Sequence, residues 1–202
     1  LGRYRDALDW VDAAGNGKQQ AYLKALILKK LKQYDDAVAA YEQAEKKGWD
    51  SFASACAVVD CLREAGKAED AAERLKRISR VGDIRAEYHY QLGRLHDVEG
   101  RHEEAIAEYE EAVRLDERHL QALFHLAYTC DLYGADDRAR EVYQKCIDLG
   151  RAPISAVLNL AVIYEDQEEY RKAYRLVKSV VNAFPNHARA RMFLKDIEAS
   201  MD

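Results

Sequence analysis

Small and aromatic residues recur along this chain at a fixed spacing of 34 residues. The clearest copy of the recurring unit occupies residues 86–119 and reads AEYHYQLGRLHDVEGRHEEAIAEYEEAVRLDERH. Four columns stay in register: Gly66, Gly100 and Gly134; Ala37, Ala71, Ala105, Ala139 and Ala173; Tyr41, Leu75, Tyr109, Tyr143 and Val177; Ala44, Ile78, Ala112, Cys146 and Val180. This register divides the chain into five units without insertion or deletion: 18–51, 52–85, 86–119, 120–153 and 154–187.

Each column has a physical cause if the unit is a pair of helices joined by a turn. Glycine tolerates the left-handed backbone at the end of a helix, so the glycine column predicts the turn. Alanine in the next column lets two helices approach closely, and the aromatic residue four positions later lies on the same helix face. Units one and five carry Lys32 and Glu168 at the glycine position, so we expect their turns to be strained or altered. One hairpin cannot bury its own apolar face, which stacked neighbours would cover.

Composition supports helices and excludes several function classes. The chain has 202 residues, of which 49% are hydrophobic and two are proline, which favours helix and allows a substantial core. Its net charge of −5, with both signs interspersed, is unfavourable for general nucleic-acid binding. No apolar run approaches the roughly 20 residues that a membrane-spanning helix needs. We therefore expect neither nucleic acid nor a membrane to be the partner of this segment.

The four cysteines form neither a CxxC pair nor a Cys/His cluster; they are Cys56, Cys61, Cys130 and Cys146. This spacing disfavours both a zinc site and a disulfide framework, so we expect no metal and reduced thiols. Reduced thiols are typical of a cytoplasmic protein. The sequence starts at Leu1 rather than Met, so its beginning is uninformative about a targeting segment.

The unit resembles the tetratricopeptide repeat, whose first helix carries Trp-x2-Leu-Gly-x2-Tyr and whose second carries Ala-x3-Phe-x2-Ala before a Pro. The matching residues of the third and fifth units are Leu92, Gly93, Ala105, Tyr109 and Ala112, and Leu160, Ala161, Tyr164, Ala173 and Pro185. No unit carries the family's Trp, and Pro185 alone stands at the family's Pro position. The resemblance covers the whole chain. It implies an all-α fold, a right-handed α-solenoid of about twelve stacked antiparallel helices.

We expect a single array over 1–202 with an incomplete unit at each end. Residues 1–17 match a second helix only, which indicates that the native protein continues upstream. Residues 188–202 match a first helix. That helix either caps the array, as a solvating terminal element does in many repeat proteins, or begins another repeat.

The resemblance implies that the first helices line a concave groove. Its most distinctive side chains are aromatic, amide, imidazole or guanidinium groups from the third to fifth units: Tyr90, Gln91, Arg94, Phe124, His125, Tyr128 and Asn159. The aromatic residues would anchor a partner. Amide side chains can hydrogen-bond to a peptide backbone whatever its sequence, and Arg94 adds a charge. The alternative is that Tyr90 and Phe124 pack between neighbouring helices.

Two features of this groove bear on the kind of partner. The family's carboxylate clamp for chaperone C-terminal tails needs several converging cations, and no three consecutive units supply them here. Position 12 of the unit changes the sign of its charge along the chain: Lys29, Arg63, Asp97, Asp131 and Glu165. Such a gradient would orient a partner with opposite charges at its two ends. The alternative is a solvated face without a ligand.

No constellation of catalytic residues stands out in the sequence. His96 falls at a core position, and His125 is the one histidine expected in the groove, where Asp97 and Asp131 form no recognisable triad with it. A glycine-rich phosphate loop and an HExxH motif are both absent. The related pentatricopeptide repeats bind RNA but have a slightly longer period. We therefore expect no catalysis, no cofactor and no RNA binding.

These observations predict a non-enzymatic protein–protein interaction scaffold that holds an extended peptide or a partner helix in its groove. The alternative is a structural or oligomerisation arm of a larger multidomain protein. The chain bears a loose resemblance to repeat segments that precede an RNA-polymerase alpha C-terminal-like domain in some bacterial regulatory proteins. The sequence leaves the identity of the partner and the oligomeric state open.

Overall fold

The computed structural model describes residues 2–201, so the first and last residues of the predicted array lie outside the described range. Within that range the regular structure consists of twelve α-helices. In chain order they are α1 (Gly2–Ala13), α2 (Lys18–Lys30), α3 (Tyr34–Lys46), α4 (Ser51–Glu64), α5 (Ala68–Gly82), α6 (Ala86–Val98), α7 (His102–Leu115), α8 (Leu120–Leu132), α9 (Asp136–Asp148), α10 (Ile154–Asp166), α11 (Tyr170–Ala183) and α12 (Ala188–Met201). The all-α fold class predicted from the sequence is confirmed.

The first seven helices form one compact unit, which ends at Leu115. Within it, α2 packs with α3, α4 with α5, and α6 with α7, each pair forming a helical hairpin. Successive hairpins stack through α3 on α4 and α5 on α6, and the first helices α4 and α6 also touch each other. Each hairpin thus buries the apolar face of its neighbour, as stacking of repeats requires.

The second compact unit begins at Asp116 and contains α8 to α12. Helices α8 and α9 form one hairpin and α10 and α11 another, while α12 packs on α11. Buried Leu158, Ala173, Val177 and Ile197 belong to its core. Because Ile197 lies on α12, the last helix contributes to this core.

The second helix of each hairpin supplies the centre of the core. The five alanines of the repeating column are all fully buried: Ala37, Ala71, Ala105, Ala139 and Ala173. Tyr41, Tyr109 and Tyr143 in the next column are fully buried as well. The close packing predicted for these columns is confirmed, and it is especially tight at Gly93 of α6. A Cβ at Gly93 would lie 2.6 Å from Cε1 of Tyr109.

The five turns inside the hairpins share one backbone geometry. Each has a residue with positive φ at the predicted position: Lys32 (61°), Gly66 (76°), Gly100 (75°), Gly134 (73°) and Glu168 (59°). The following amide donates to a carbonyl five residues back at 2.7–2.9 Å, the bond that closes a Schellman turn. The turns at Lys32 and Glu168 are therefore strained, as expected, but their geometry is not altered.

None of the helices between residues 2 and 201 is both long enough and apolar enough to cross a bilayer. The four cysteines, Cys56, Cys61, Cys130 and Cys146, are free thiols buried between helices. Burial raises the pKa of the Cys56 thiol to about 12 and that of Cys61 to about 11. These two thiols therefore stay neutral at physiological pH and behave as small apolar core residues.

Candidate functional site

In the first unit, the three predicted groove residues lie on α6 and are largely buried. Tyr90 is 8% exposed and Gln91 is 3% exposed, while Arg94 is partly exposed. The Tyr90 ring lies 6.2 Å from the ring of Tyr109, and Arg94 Nη1 donates to the Tyr90 hydroxyl at 2.9 Å. Tyr90 therefore packs onto the second-helix column, in line with the packing interpretation of this aromatic.

Charged side chains join the three first helices of this unit. Lys29 of α2 forms an ion pair with Asp60 of α4, which also pairs with Arg63 one turn later. Arg63 Nη1 lies 2.9 Å from Glu64 Oε1, and the same oxygen lies 3.7 Å from Arg94 Nη2 on α6. The positive position-12 residues of this unit, Lys29 and Arg63, are thus both paired with carboxylates of the chain itself.

Asp60 pairs with two cations of this network, although the sequence analysis does not single it out as a site residue. Burial by itself would raise the pKa of Asp60, but the ion pairs with Lys29 and Arg63 hold it below the ordinary aspartate value. Burial would likewise lower the pKa of Lys29, and Asp60 raises it above the ordinary lysine value. The only local signal was an arginine three residues after Asp60, because Lys29 lies 31 positions away.

A pocket of about 340 Å³ opens beside this network, between α2, α3, α4 and α6. Its walls include Tyr22, Leu26, Tyr41, Glu87 and Gln91. Gln91 Nε2 donates to Glu87 Oε1 at 2.8 Å. The hydroxyl of Tyr41 and Oε1 of Gln91 are buried without a hydrogen-bond partner among the described residues. The sequence predicts Gln91 at the groove, and the structure buries its side chain at the wall of this pocket.

In the second unit, the predicted groove residues lie on α8 and α10 and are more accessible. The rings of Phe124 and Tyr128 stack at 6.1 Å with an interplanar angle of 17°, as residues four apart on a helix can. Tyr128 is 40% exposed. The His125 ring meets Phe124 edge-on at 5.4 Å, and Asn159 Nδ2 on α10 donates to the Tyr143 hydroxyl at 2.9 Å. The second unit thus carries a stacked aromatic pair on α8, of which Tyr128 is exposed and Phe124 is half-buried.

Two acidic residues at position 12, Asp97 and Asp131, form hydrogen bonds inside their own hairpins. The Tyr109 hydroxyl donates to Asp97 Oδ2 at 2.5 Å, and the Tyr143 hydroxyl approaches Asp131 Oδ2 at 3.4 Å. Burial raises the pKa of Tyr109, and the Asp97 carboxylate raises it further. Burial also raises the pKa of Asp131. The sequence pattern alone had suggested that these carboxylates orient a partner.

Two of the six histidines cap helices, and a third lies near a carboxylate. His119 Nδ1 accepts from the amide of Ala122 at 3.2 Å, and His187 Nδ1 accepts from that of Ala190 at 3.2 Å, so both cap helix N-termini. The His96 side chain is 15% exposed, and its Nδ1 lies 3.7 Å from Glu99 Oε2. Over residues 2–201, no group of three or more His, Cys, Asp or Glu side chains has an arrangement that could hold a metal ion.

Similar proteins share this architecture. YpiA of Bacillus subtilis, a TPR repeat-containing protein, is 22% identical over 148 residues, which are 73% of this chain and 35% of YpiA. Yeast Tom70 superposes with a TM-score of 0.82 at 15% identity, over 97% of this chain and 43% of Tom70. YrrB, a TPR protein with an unusual peptide-binding site, superposes with a TM-score of 0.61 at 18% identity, over 95% of this chain and 97% of YrrB. These structural likenesses concern the fold.

The chain spans about a third or less of the length of the curated relatives it matches. One sequence model of the tetratricopeptide repeat matches residues 59–119 and 90–152, and a second matches residues 21–46. Together these matches cover more than half of the chain and include residues of both compact units. The chain belongs to the tetratricopeptide repeat family.

Proposed function

We propose that this chain is a non-enzymatic protein–protein interaction scaffold that binds an extended peptide or a partner helix on the face of its first helices. Family membership supports the general role, because tetratricopeptide repeats serve mainly as interaction scaffolds. An accessible aromatic side chain on a first helix supports it as well: Tyr128 of α8 is 40% exposed.

The observation that carries the proposal is the stacked pair of Phe124 and Tyr128 on α8. An aromatic ring that is 40% exposed and held by a second ring loses little conformational freedom when a partner covers it. Rigid aromatic side chains of this kind are enriched among residues that dominate binding energy. YrrB, whose fold this chain shares, has an unusual peptide-binding site, which adds support for a peptide as the partner.

Polar side chains near this pair would orient the partner. His125 is the next residue on α8 after Phe124, and Asn159 donates with its Nδ2 to Tyr143, which fixes the orientation of its amide. A fixed amide oxygen can accept from a peptide N–H without regard to the peptide's sequence. The residues predicted for this role in the first unit are Tyr90, Gln91 and Arg94.

The proposal includes the absence of catalysis and a cytoplasmic location. The two histidines that cap helices use their Nδ1 atoms for this purpose, which leaves those nitrogens unsuited to acid–base catalysis. Four buried free thiols are compatible with a reducing compartment.

The decisive experiment compares two tyrosine variants of nearly equal exposure. Peptides selected from a displayed library of random sequences on the 202-residue chain would be titrated against Tyr128→Ala and Tyr4→Ala. Tyr4 lies on α1 and is 43% exposed, so it matches Tyr128 in exposure but lies away from α8 in the sequence. We expect Tyr128→Ala to weaken the selected peptides about tenfold or more and Tyr4→Ala to leave their affinity unchanged. Equal affinity for the two variants would refute binding at the Phe124–Tyr128 pair.

A second candidate function is a structural or oligomerisation arm of a larger protein. The observation in its favour is Trp10 on α1, which is 78% exposed, since large exposed aromatics often mark contact surfaces. Light scattering of the 202-residue chain distinguishes the two functions. A dimer that Trp10→Ala dissociates would favour the arm, whereas a monomer that binds selected peptides through Tyr128 favours the scaffold.

A further inference from the structure

The exposed face of α8 carries an apolar stripe that runs to the end of the helix. Phe124, Tyr128 and Leu132 are spaced four residues apart, so their side chains lie on one face. Tyr128 is 40% exposed and Leu132 is 61% exposed, and the Phe124 ring stacks on that of Tyr128. At a rise of about 1.5 Å per residue, the stripe is about 12 Å long. Leu132 therefore extends the aromatic pair by one helical turn.

The neighbouring first helix, α10, continues this surface. It contacts α8 within the second unit. In the repeat register, half-buried Val162 of α10 takes the position of Tyr128, and Asn159 takes that of His125. The middle of the surface is therefore apolar on both helices, and Asn159 adds an amide that is held by the Tyr143 hydroxyl.

The charged side chains of these two helices are all acidic, because α8 and α10 contain no lysine and no arginine. They are Asp131 near the end of α8, and Glu165 and Asp166 at the end of α10. None of the three forms an ion pair with another described residue. A lysine of the adjacent α11, Lys172, is paired with Glu169 instead. The stripe thus ends in a group of negative charges that no cation of these helices offsets.

The carboxylates at this end also act on one another. Burial raises the pKa of Glu165, and the carboxylates of Asp166 and Asp196 raise it further. Burial likewise raises the pKa of Asp131, and Asp136 and Asp166 add to that rise. Because Asp166 belongs to α10 and Asp131 to α8, the ends of the two helices are close enough for their charges to repel. A cationic partner would relieve this repulsion.

A helix is the partner that matches the spacing of the stripe. Side chains four residues apart on a partner helix have the same rise of about 6 Å that separates Phe124, Tyr128 and Leu132, so the two sets of side chains can interdigitate. A helix also satisfies its own backbone N–H and C=O groups. An extended peptide would leave most of these groups facing apolar side chains, because Asn159 supplies a single amide.

We propose that this surface binds an amphipathic helix of the partner protein. The apolar side of that helix lies on the stripe of α8, and its lysine or arginine residues meet Asp131, Glu165 and Asp166. The proposal rests on the scaffold function and adds the class of partner for the same site. The apolar contact supplies most of the affinity, while the cations speed the encounter and select against acidic partners.

The test uses designed peptides titrated by calorimetry into the intact 202-residue chain. The parent probe is the acetylated and amidated peptide KAALKAALAAKLAAK, whose leucines recur every four residues on one helix face and whose lysines flank them at both ends. The peptide EAALEAALAAELAAE has the opposite charge, and KAALKAALPAKLAAK has a proline that breaks the helix. We expect saturable binding of the parent probe and at least about tenfold weaker binding of the other two. Equal affinity of either comparison peptide with the parent would overturn the proposal.

One pair of variants tests the apolar stripe. Leu132→Ala shortens the stripe and should weaken the parent probe about tenfold. Leu23→Ala alters a leucine of α2 that is 49% exposed and should leave the affinity unchanged. If the two variants bind the probe equally well, the helix does not lie on α8.

A second pair of variants tests the acidic end. The double variant Glu165→Gln/Asp166→Asn should weaken the parent probe severalfold, because two carboxylates near its lysines are lost. Its control is Glu103→Gln/Glu104→Gln, which removes the same charge from two exposed positions of α7 and should have no effect. Equal weakening by the two double variants would indicate attraction to the net negative charge of the chain and would overturn the proposal.

The failure of this inference and that of the scaffold function have different signatures. Library-selected peptides that need Tyr128, combined with equal affinity for the three designed peptides, leave the scaffold standing and overturn the basic helical partner. If neither the selected peptides nor the parent probe is weakened by Tyr128→Ala, the scaffold site on α8 and the helical partner both fail.

Discussion

The hydroxyl of Tyr109 donates a hydrogen bond of 2.5 Å to Oδ2 of Asp97, twelve residues earlier in the same hairpin. Tyr143 and Asp131 repeat the arrangement at 3.4 Å. In the first hairpin the aspartate is replaced by Lys29, and the Tyr41 hydroxyl is buried without a partner among the described residues. The three tyrosine rings of this column are equally buried. The hydroxyls of Tyr109 and Tyr143 are hydrogen-bonded to an aspartate, whereas that of Tyr41 is not.

Removing the hydroxyl should consequently have different effects within this column. We expect Tyr109→Phe to lower the free energy of unfolding by about 1–3 kcal/mol, because the hydrogen bond to the Asp97 carboxylate is lost. Tyr41→Phe removes an unpaired buried hydroxyl and should leave the free energy of unfolding unchanged or raise it. Urea denaturation followed by circular dichroism measures both, and equal destabilisation by the two variants would contradict the contrast.

Truncating the same ring tests the packing of the column. Tyr109 is fully buried, so Tyr109→Ala creates a cavity and should lower the free energy of unfolding by about 3–5 kcal/mol. An unaltered melting temperature for this variant would contradict both the repeat register and the position of Tyr109 in the core.

The strained turns offer sites for stabilisation. Lys32 and Glu168 have φ values of 61° and 59°, a conformation that costs a non-glycine residue roughly 1–2 kcal/mol. After the entropy that glycine adds to the unfolded chain, we expect Lys32→Gly and Glu168→Gly each to raise the free energy of unfolding by about 0.5–1 kcal/mol. The control is Gly100→Ala, at φ 75° with open space around the site, which should destabilise through the backbone alone. In thermal unfolding, the melting temperature should rise for Lys32→Gly and Glu168→Gly and fall for Gly100→Ala.

The contact between Gly93 and the Tyr109 ring predicts a steric effect. A Cβ at Gly93 would meet Tyr109 Cε1 at 2.6 Å and the carbonyl oxygen of Ala105 at 3.1 Å. We expect Gly93→Ala to lower the free energy of unfolding by about 1–3 kcal/mol, since the packed ring has to move. The equivalent residue of the fifth repeat is Ala161, where Ala161→Gly should also destabilise, through helix propensity and lost packing. A stabilising Gly93→Ala would show that the ring yields without cost.

The Asp60 ion pairs predict a pH dependence with a definite sign. The pKa of Asp60 is held below its ordinary value of 3.8, so the folded chain binds the proton less tightly than the unfolded chain. The contribution of Asp60 to stability is therefore present above that value and is lost as the pH falls below it. We expect Asp60→Asn to cost about 2 kcal/mol at neutral pH, because Arg63 and Lys29 lose their carboxylate partner.

The same variant provides the control for this prediction. Because an asparagine does not titrate, the difference in free energy of unfolding between the wild type and Asp60→Asn should shrink from about pH 5 towards about pH 2. Asp35→Asn removes an exposed partner of Lys67 and should show little difference at either pH. A difference for Asp60→Asn that stays constant over this range would exclude a depressed pKa.

Much of the fold was predictable from the sequence because its determinants repeat within 34 residues. Ala105 and Tyr109 mark the buried side of a second helix wherever their columns recur, and both are fully buried. The repeat register also predicted the positions of the turns. This held even at Lys32 and Glu168, although a non-glycine residue disfavours the positive φ found there. Packing of the neighbouring helices is strong enough to hold these two residues in an unfavourable conformation.

The candidate site was predictable only as a choice of helix face. The sequence placed Gln91 and Tyr128 on first helices, but it did not distinguish a 3% exposed amide from a 40% exposed ring. Burial depends on which side chains of other helices cover a residue, and that covering follows no period of the sequence.

The helices, their turns and the residues of the core are specified by local backbone preference and apolar spacing, which can be read along the chain. The pairing of charged and hydroxyl groups is specified instead by how the helices pack. Asp60 meets Lys29 across 31 residues, and Tyr41 lacks the aspartate that Tyr109 has. Which groups pair depends on their proximity in space, so the pocket beside Gln91 exists only in the packed arrangement of α2, α3, α4 and α6.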